Sequence, residues 1–380
     1  MKNQLHIELV TETYPPEVNG VAFTVQSLEH GLRALGHRVA VVRTERPEDD
    51  RRSNEDRVLI ASAPLPNYPG LRFGLPAGRR LLARWKDERP DAIYVATEGP
   101  LGWSALNTAR KLAIPVATGF HTRFDTYARD YGFGFLSPWV FNWLRRFHNR
   151  GDATIVPTLE LQTQLQAQGF GKVQRLGRAV DTTQFHPSWR DYSLRESWGL
   201  ADDDLAVLSV GRLAPEKNLD LTLRAFRAVQ AQFPRARLVL VGDGPSRAAL
   251  QAANPDVIFV GVQRGDALSR HYASCDLFLF SSLSETFGNV TLEAMASGLA
   301  TVAFDYGAAR EHLLHGEHGA VVAFGAEDEF VQWSVRIACK PNLQRLGRSA
   351  RASVQPLHPL EVAEAFALLL EGLSPQRKAA

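Results

Sequence analysis

The stretch SSLSETFGNVTLEAMASG, residues 281–298, decides how the rest of the chain is read. Ahead of it runs DLFLF, residues 276–280, which has the length and aromatic content of a buried strand. Behind Asn289, the apolar positions of residues 290–296 recur at helical spacing. Strand, loop and helix follow one another. Asn289 is a favoured N-cap type, so the backbone N–H groups of Phe287, Gly288 and Asn289 are expected to be free. An anion is the natural guest at such a helix start. Glu285 in the loop and Glu293 about one turn into the helix are separated by seven residues, which lets them hold different parts of one bound molecule. Carboxylates accept well from vicinal hydroxyls, and the two acids offer one such acceptor near the helix start and another farther along. The bland alternative is two solvated acids at a helix start, favoured there by the helix dipole.

Outward from this stretch, short apolar runs at residues 205–210, 237–241 and 256–260 join 276–280 in a strand-and-helix rhythm. The first is followed by GRLAPEKNLD, in which Arg212 and Lys217 offer two cations to one diphosphate, next to a helix beginning near Leu219. A third loop, FVGVQRGDAL, carries Gly261 and Val262 at a strand end ahead of a helix.

The front half repeats the rhythm. Residues 5–10, 38–42, 57–61, 91–96, 115–119 and 153–157 read as strands of a parallel sheet covered on both faces, with a helix over 18–35. Its first loop contains Gly20 but no G-x-G-x-x-G, so the nicotinamide-type fingerprint is missing. Ligands bind such sheets at the carboxyl ends of strands, which points to Glu98 and His121. A lone histidine in that position is more often a packing or hydrogen-bonding residue.

With 380 residues the chain is long enough for two domains. Apolar content of 45% and charged content of 22% are those of a soluble globular protein. No uncharged apolar run reaches the ~18 residues of a membrane span, and the start MKNQLHIELV lacks the regions of a signal peptide, so the expected location is cytoplasmic. The two cysteines, Cys275 and Cys339, suggest neither a disulfide framework nor a zinc site. Net charge is +2, with 24 Lys and Arg against 19 Asp and Glu in residues 1–185, an asymmetry compatible with a basic front half facing an acidic membrane or lipid but too small to decide anything alone, and no nucleic-acid partner is expected. Two segments combine aromatic or aliphatic residues with arginines as interfacial helices do: residues 63–86, with Arg72, Arg79, Arg80, Arg84 and Lys86, and residues 133–150, with Trp139, Phe141, Trp143 and Phe147 beside Arg145, Arg146 and Arg150. Each also reads as a core helix with a charged rim.

Glu285 and Glu293 resemble the Glu-x7-Glu signature of family 4 of the retaining glycosyltransferases. GFHTRF (119–124) resembles that family's Phe-His-Thr-like segment, and GRAVDTTQFHP (177–187) its Gly-x-Gly-Val-Asp-Thr-x-x-Phe-x-Pro segment, with Arg178 and Ala179 at the x and second Gly positions. The resemblance implies an α/β GT-B fold, two Rossmann-like domains facing across a cleft. It places an acceptor-binding domain at 1–187, a donor-binding domain at 200–357 and a helix over 358–380 that crosses back; residues 186–204, rich in Pro, Trp and charge with no strand pattern, read as the linker. It implies that Glu285 and the backbone of Phe287, Gly288 and Asn289 hold the donor hexose, and that Glu293 holds the ribose. Gly261 and Val262 then flank the base, and His121 contacts the hexose near its reacting face. Gly20 lies beside phosphates or acceptor, and Arg212 and Lys217 neutralise the leaving diphosphate without a metal. Glu98, Thr122 and Asp125 are weaker candidates for the acceptor. The implied reaction moves a mannose or glucose type of hexose from a GDP- or UDP-linked donor to a lipid or a growing glycan, with an α-linked product, at the inner face of the cell membrane. A non-catalytic nucleotide-sugar-binding protein is the alternative from a different class.

Overall fold

The computed structural model describes residues 4–17, 19–47, 49, 56–64, 72–121, 137–285 and 287–373. The chain divides into two compact units, Met1–Ala179 with Pro359–Ala380, and Val180–His358.

The first unit contains strands β1 (His6–Thr11), β2 (Arg38–Thr44), β3 (Arg57–Ile60), the antiparallel pair β4 (Ser62–Pro64) and β5 (Arg72–Gly74), then β6 (Ala92–Val95), β7 (Val116–Gly119), β8 (Ala153–Val156) and β9 (Val173–Arg175). Seven of them form a parallel sheet in the order β3-β2-β1-β6-β7-β8-β9. The strand order reverses between β1 and β6, and ligands of such sheets bind outside the carboxyl ends at that reversal. Helices α1 (Gly20–Ala34), α2 (Gly78–Asp87), α3 (Pro100–Lys111), α4 (Ser137–His148) and α5 (Leu159–Ala167) complete the unit with the C-terminal helix, Pro359–Gly372. Both faces of the sheet are apolar because both are covered: Ile7, Leu9 and Val39 pack with α1 and the C-terminal helix, and Val10, Ile93 and Val95 with α2 and α3. The C-terminal helix lies so close to α1 that a side chain at Gly31 would meet Ala363 Cβ at 2.5 Å. An acid also stands in this core. Glu8 is fully buried on β1 and accepts from Arg84 Nε at 2.6 Å and Trp85 Nε1 at 2.7 Å, which fastens α2 to the sheet.

The second unit has strands β10 (Ala206–Val210), β11 (Arg237–Val241), β12 (Ile258–Gly261), β13 (Leu277–Phe280), β14 (Ala300–Phe304) and β15 (Gly319–Val322). They form a parallel sheet in the order β12-β11-β10-β13-β14-β15, with the reversal between β10 and β13. Its helices include α6 (Tyr192–Ser197), α7 (Leu219–Gln232), α8 (Arg247–Ala253), α9 (Gly265–Ala273) and α10 (Asn289–Ala296). The DLFLF run behaves as its composition predicts. Leu277 and Leu279 enter one core and Phe278 and Phe280 the other, so a central strand shows no polar alternation.

The boundary between units differs from expectation. It falls at Ala179 and Val180 rather than after 187, and residues 186–204 are packed structure of the second unit rather than a linker. Arg195, 1% exposed, donates to the carbonyls of Ser274 at 2.7 Å, Ala201 at 3.1 Å and Asp204 at 2.6 Å, and to Asp276 Oδ2 at 3.2 Å. A guanidinium that collects carbonyls holds this segment, and no apolar periodicity is needed.

Candidate active site

The strand reversal of the second sheet brings the two loops of interest together. The loop after β10 carries Arg212 and Lys217, and the loop after β13 carries Glu285. Ser281 Oγ donates to the loop carbonyls of Lys217 and Asn218, at 3.1 and 2.9 Å, and the Leu283 N–H reaches the Glu216 carbonyl at 2.9 Å. Lys217 Nζ forms an ion pair with Glu285 Oε1, and Ser282 Oγ donates to the same oxygen at 3.0 Å. Both charged side chains are mostly buried, so each partner holds the other in place while leaving one edge to solvent. Arg212 is more exposed and lies 3.8 Å from Glu216. Glycines make room for this crossing. A side chain at Gly242, where φ is +136°, would strike the Gly211 carbonyl oxygen at 1.9 Å.

The helix start differs in one respect from the sequence reading. Gly288, not Asn289, is the N-cap of α10, in the left-handed conformation with φ +88°. The reason is steric: a Cβ at Gly288 would lie 3.1 Å from the Phe280 ring, and only glycine adopts this turn without strain. Asn289 becomes the first helical residue, and its buried Oδ1 has no partner among the described residues. Among those residues the N–H groups of Phe287, Gly288 and Asn289 make no hydrogen bond either. The Phe287 carbonyl is occupied, accepting from the Ala308 N–H at 2.7 Å, and Gly307 is required because its Cβ would fall 2.5 Å from that oxygen.

Glu293 accepts from the buried Tyr272 hydroxyl at 2.8 Å. Burial raises its pKa to about 7, against which the Tyr272 hydrogen bond acts. A carboxyl whose folded pKa exceeds its ordinary 4.5 favours the folded state when protonated. That contribution is complete below about pH 4.5 and is lost as pH rises through about 7. We therefore expect Glu293→Gln, which cannot ionise, to gain Tm relative to the parent between pH 5 and 8; thermal melts across that interval check it. At the end of β12, Gly261 has φ +72° and Val262 is 49% exposed.

In the first unit, Gly20 opens α1 at the surface behind the Asn19 cap, whose Oδ1 accepts from the Ala22 N–H at 2.9 Å. His121 is buried, and both its ring nitrogens are engaged: Nε2 with Tyr94 Oη at 2.5 Å and Nδ1 with Arg178 Nη2 at 2.5 Å. A guanidinium only donates, so Nδ1 accepts and the ring proton sits on Nε2, pointing at Tyr94. Burial first, then the Arg178 cation and His148, hold the ring pKa well below its ordinary value. His121 is thus neutral and fixed, suited to orienting a substrate through its backbone or ring edge and unsuited to proton transfer at the ring nitrogens. Glu98 is buried 3.4 Å from His148 Nε2, while His148 Nδ1 contacts Thr118 Oγ1 at 2.8 Å. Thr122 and Asp125 lie outside the described residues.

In the first of the two basic aromatic segments, Leu81 and Trp85 on α2 are buried, whereas Leu75 is 41% exposed. Residues 65–71 of it lie outside the described residues. On α4, Leu144 and Phe147 are buried, but Trp139 is 77% exposed, and Trp143, 42% exposed, stacks on Trp103 at 6.4 Å. Arg146 is exposed on the same helix. No helix among the described residues is long and apolar enough to cross a membrane.

Three supporting side chains went unread in the sequence: Tyr272, Ser282 and Tyr306, whose hydroxyl donates to the Ser282 carbonyl at 2.7 Å. Tyr272 and Tyr306 are brought to the site by tertiary packing and leave no local signal, whereas Ser282 lies three residues before Glu285 in the same loop. Arg178 was visible only as a departure from a motif.

Comparison with known proteins places this geometry in context. Residues 18–184 match the family model described as Glycosyltransferase Family 4, and residues 204–339 the one described as Glycosyl transferases group 1. The GDP-mannose-dependent alpha-mannosyltransferase of Mycobacterium tuberculosis (strain CDC 1551 / Oshkosh) is 36% identical over 328 residues, covering 84% of this chain and 84% of that protein. The alpha-monoglucosyldiacylglycerol synthase of Streptococcus pneumoniae is 31% identical, covering 79% of this chain and 71% of that protein. Among solved structures, the sucrose-phosphate synthase of Thermosynechococcus elongatus has a TM-score of 0.77 at 19% identity, covering 97% of this chain and 99% of its own. Anabaena HepE in complex with UDP has a TM-score of 0.74 at 18% identity, covering 97% and 100%. At these identities the two structures speak for the fold.

Proposed function

This chain belongs to glycosyltransferase family 4, and we propose that it carries a mannosyl group from GDP-mannose to a hydroxyl of a lipid-linked acceptor, with retention of configuration. The observation that carries this reading is the meeting of Lys217, at the strand reversal of the second sheet, with Glu285 in the loop leading to α10, whose opening N–H groups make no hydrogen bond among the described residues. Similarity to the mannosyltransferase over most of both chains favours mannose and guanine.

In this reading the donor's diphosphate takes the place that Glu285 holds against Lys217, and Arg212 and the amides of Phe287, Gly288 and Asn289 share its charge. Glu285, released from the lysine, accepts from hexose hydroxyls, and Glu293 accepts from the ribose. Gly261 and Val262 flank the base, and Gly20 and His121 border the sugar and acceptor. The acceptor oxygen approaches the anomeric carbon on the face from which the phosphate departs. The carbon–phosphate oxygen bond breaks as the new glycosidic bond forms, and the acceptor proton passes to the departing phosphate oxygen, leaving GDP and an α-glycoside. Two protein cations and a helix N-terminus supply the positive charge that this departure calls for, so we assign no metal to the step. Because Glu293 titrates near neutrality, donor affinity rises with pH through about 7 as its carboxylate forms.

The test is nucleotide release by the purified protein in EDTA. GDP should appear from GDP-mannose only when a lipid extract is added, with an α-anomeric product by NMR. Release of UDP from UDP-glucose in its place would overturn the donor assignment, and release of neither nucleotide with any acceptor would overturn the reaction.

We place this chemistry at the cytoplasmic face of a membrane, on the support of the exposed Trp139 and Trp143 with Arg146 on α4. Trp139→Ser is expected to weaken binding to vesicles rich in anionic lipid about tenfold, which corresponds to roughly 1.4 kcal/mol of lost apolar burial. Vesicle sedimentation measures it, and equal binding by parent and variant would remove α4 from the contact.

A further inference from the structure

Arg178 stands where its motif carries no required side chain, three residues beyond β9 and on the ligand side of the first sheet. One of its nitrogens donates to His121 Nδ1 at 2.5 Å. Among the described residues, the guanidinium has no carboxylate partner and no second hydrogen bond, although the side chain is half-buried. Glu98 and Glu12 are buried acids of the same unit. Glu98 faces His148 at 3.4 Å, and the Glu12 carboxylate is folded under α3, where it accepts from the Leu101 N–H at 3.0 Å. Gly99 has no side chain because the Glu12 carboxylate fills that space, 2.1 Å from where a Cβ would stand.

The rest of the cluster is built to hold the guanidinium still. A Cβ at Gly119 would lie 2.2 Å from Tyr94 Oη and 2.4 Å from His121 Nε2, so the glycine is what lets the tyrosine and histidine meet. Tyr94 and His121 are both buried, and their hydrogen bond leaves the imidazole one lone pair, which Arg178 takes. The result is a cation on a rigid neutral platform with donors to spare. Among the described residues this half-buried charge has no counter-ion, which a ligand can supply, and a planar fork of N–H donors matches an oxyanion.

We infer that Arg178 binds an anionic group on the acceptor, a carboxylate or phosphate of its headgroup, and so selects charged over neutral acceptors. This rests on the glycosyltransferase reading and deepens it.

Calorimetric binding to the full-length protein, with GDP and with single-chain probes below their micellar concentrations, tests the inference. Octyl glucoside and octyl glucuronide differ only by a carboxylate, and lysophosphatidylinositol carries a phosphate. The parent should bind at least one anionic probe about tenfold more tightly than octyl glucoside. Arg178→Gln, which keeps an N–H for His121 but lacks charge, should lose that preference. Arg178→Lys should retain most of it, and the GDP Kd should stay within twofold in both variants. Which probe gains the advantage separates carboxylate from phosphate. Three results would overturn the inference: no charge preference in the parent; an equal loss of all probes in both variants, which makes the residue a prop for His121; or a GDP Kd raised tenfold, which gives the guanidinium to the donor's phosphates. Absence of GDP and UDP binding by the parent would instead strike the glycosyltransferase reading.

Discussion

Lys217→Ala lowers kcat about 10²–10³-fold, equivalent to ~2.7–4 kcal/mol of transition-state stabilisation, the range measured when one preorganised donor to a developing anion is removed. The magnitude follows from where the ammonium sits. It is largely buried beside Glu285, held by one partner, and next to amides that have no other use among the described residues. A charge already desolvated and oriented acts on the departing phosphate without reorganisation, and no neighbouring water can replace it at equal strength. The fold should tolerate the change. Glu285 keeps the Ser282 hydroxyl at 3.0 Å and an edge to solvent, so its carboxylate is not left without a partner when the lysine is removed. Steady-state kinetics with a parallel thermal melt measures both. A kcat within threefold of the parent would show that the lysine does not meet the leaving group.

Arg195→Ala is expected to destabilise the second unit by about 3–5 kcal/mol, the usual result of removing one partner from a buried charge pair. Here the loss is wider than one pair. Asp276 keeps Arg190 at 3.1 Å, but the carbonyls of Ser274 and Asp204 lose their donor inside the protein and that of Ala201 keeps only the Asp204 N–H at 3.1 Å. Arg195→Lys should recover only part, because a single ammonium cannot span the set that a planar fork reaches. Denaturant melts of the three proteins decide the matter. An alanine variant as stable as the parent would mean that residues 180–204 are held by something other than this arginine.

Much of the architecture was legible because its causes are local. DLFLF reads as a buried strand since both faces of β13 meet apolar cores, and the approach of Lys217 to Glu285 follows once both loops are placed after adjacent strands. What escaped the sequence has non-local causes. Residues 186–204 look like a linker because carbonyls gathered by Arg195 leave no periodic trace. Asn289 looks like the cap on propensity, yet the Phe280 ring leaves space only for Gly288 at that turn. His121 was found by its place after β7, but its tautomer is set by Arg178, 57 residues later in the chain.

The most direct test is a crystal structure of the protein with GDP bound. Its diphosphate should lie about 2.7–3.2 Å from Lys217 Nζ and from amides of residues 287–289, with the lysine drawn off Glu285. A nucleotide bound at another site, or a lysine still paired with Glu285 while the phosphates sit elsewhere, would contradict the account.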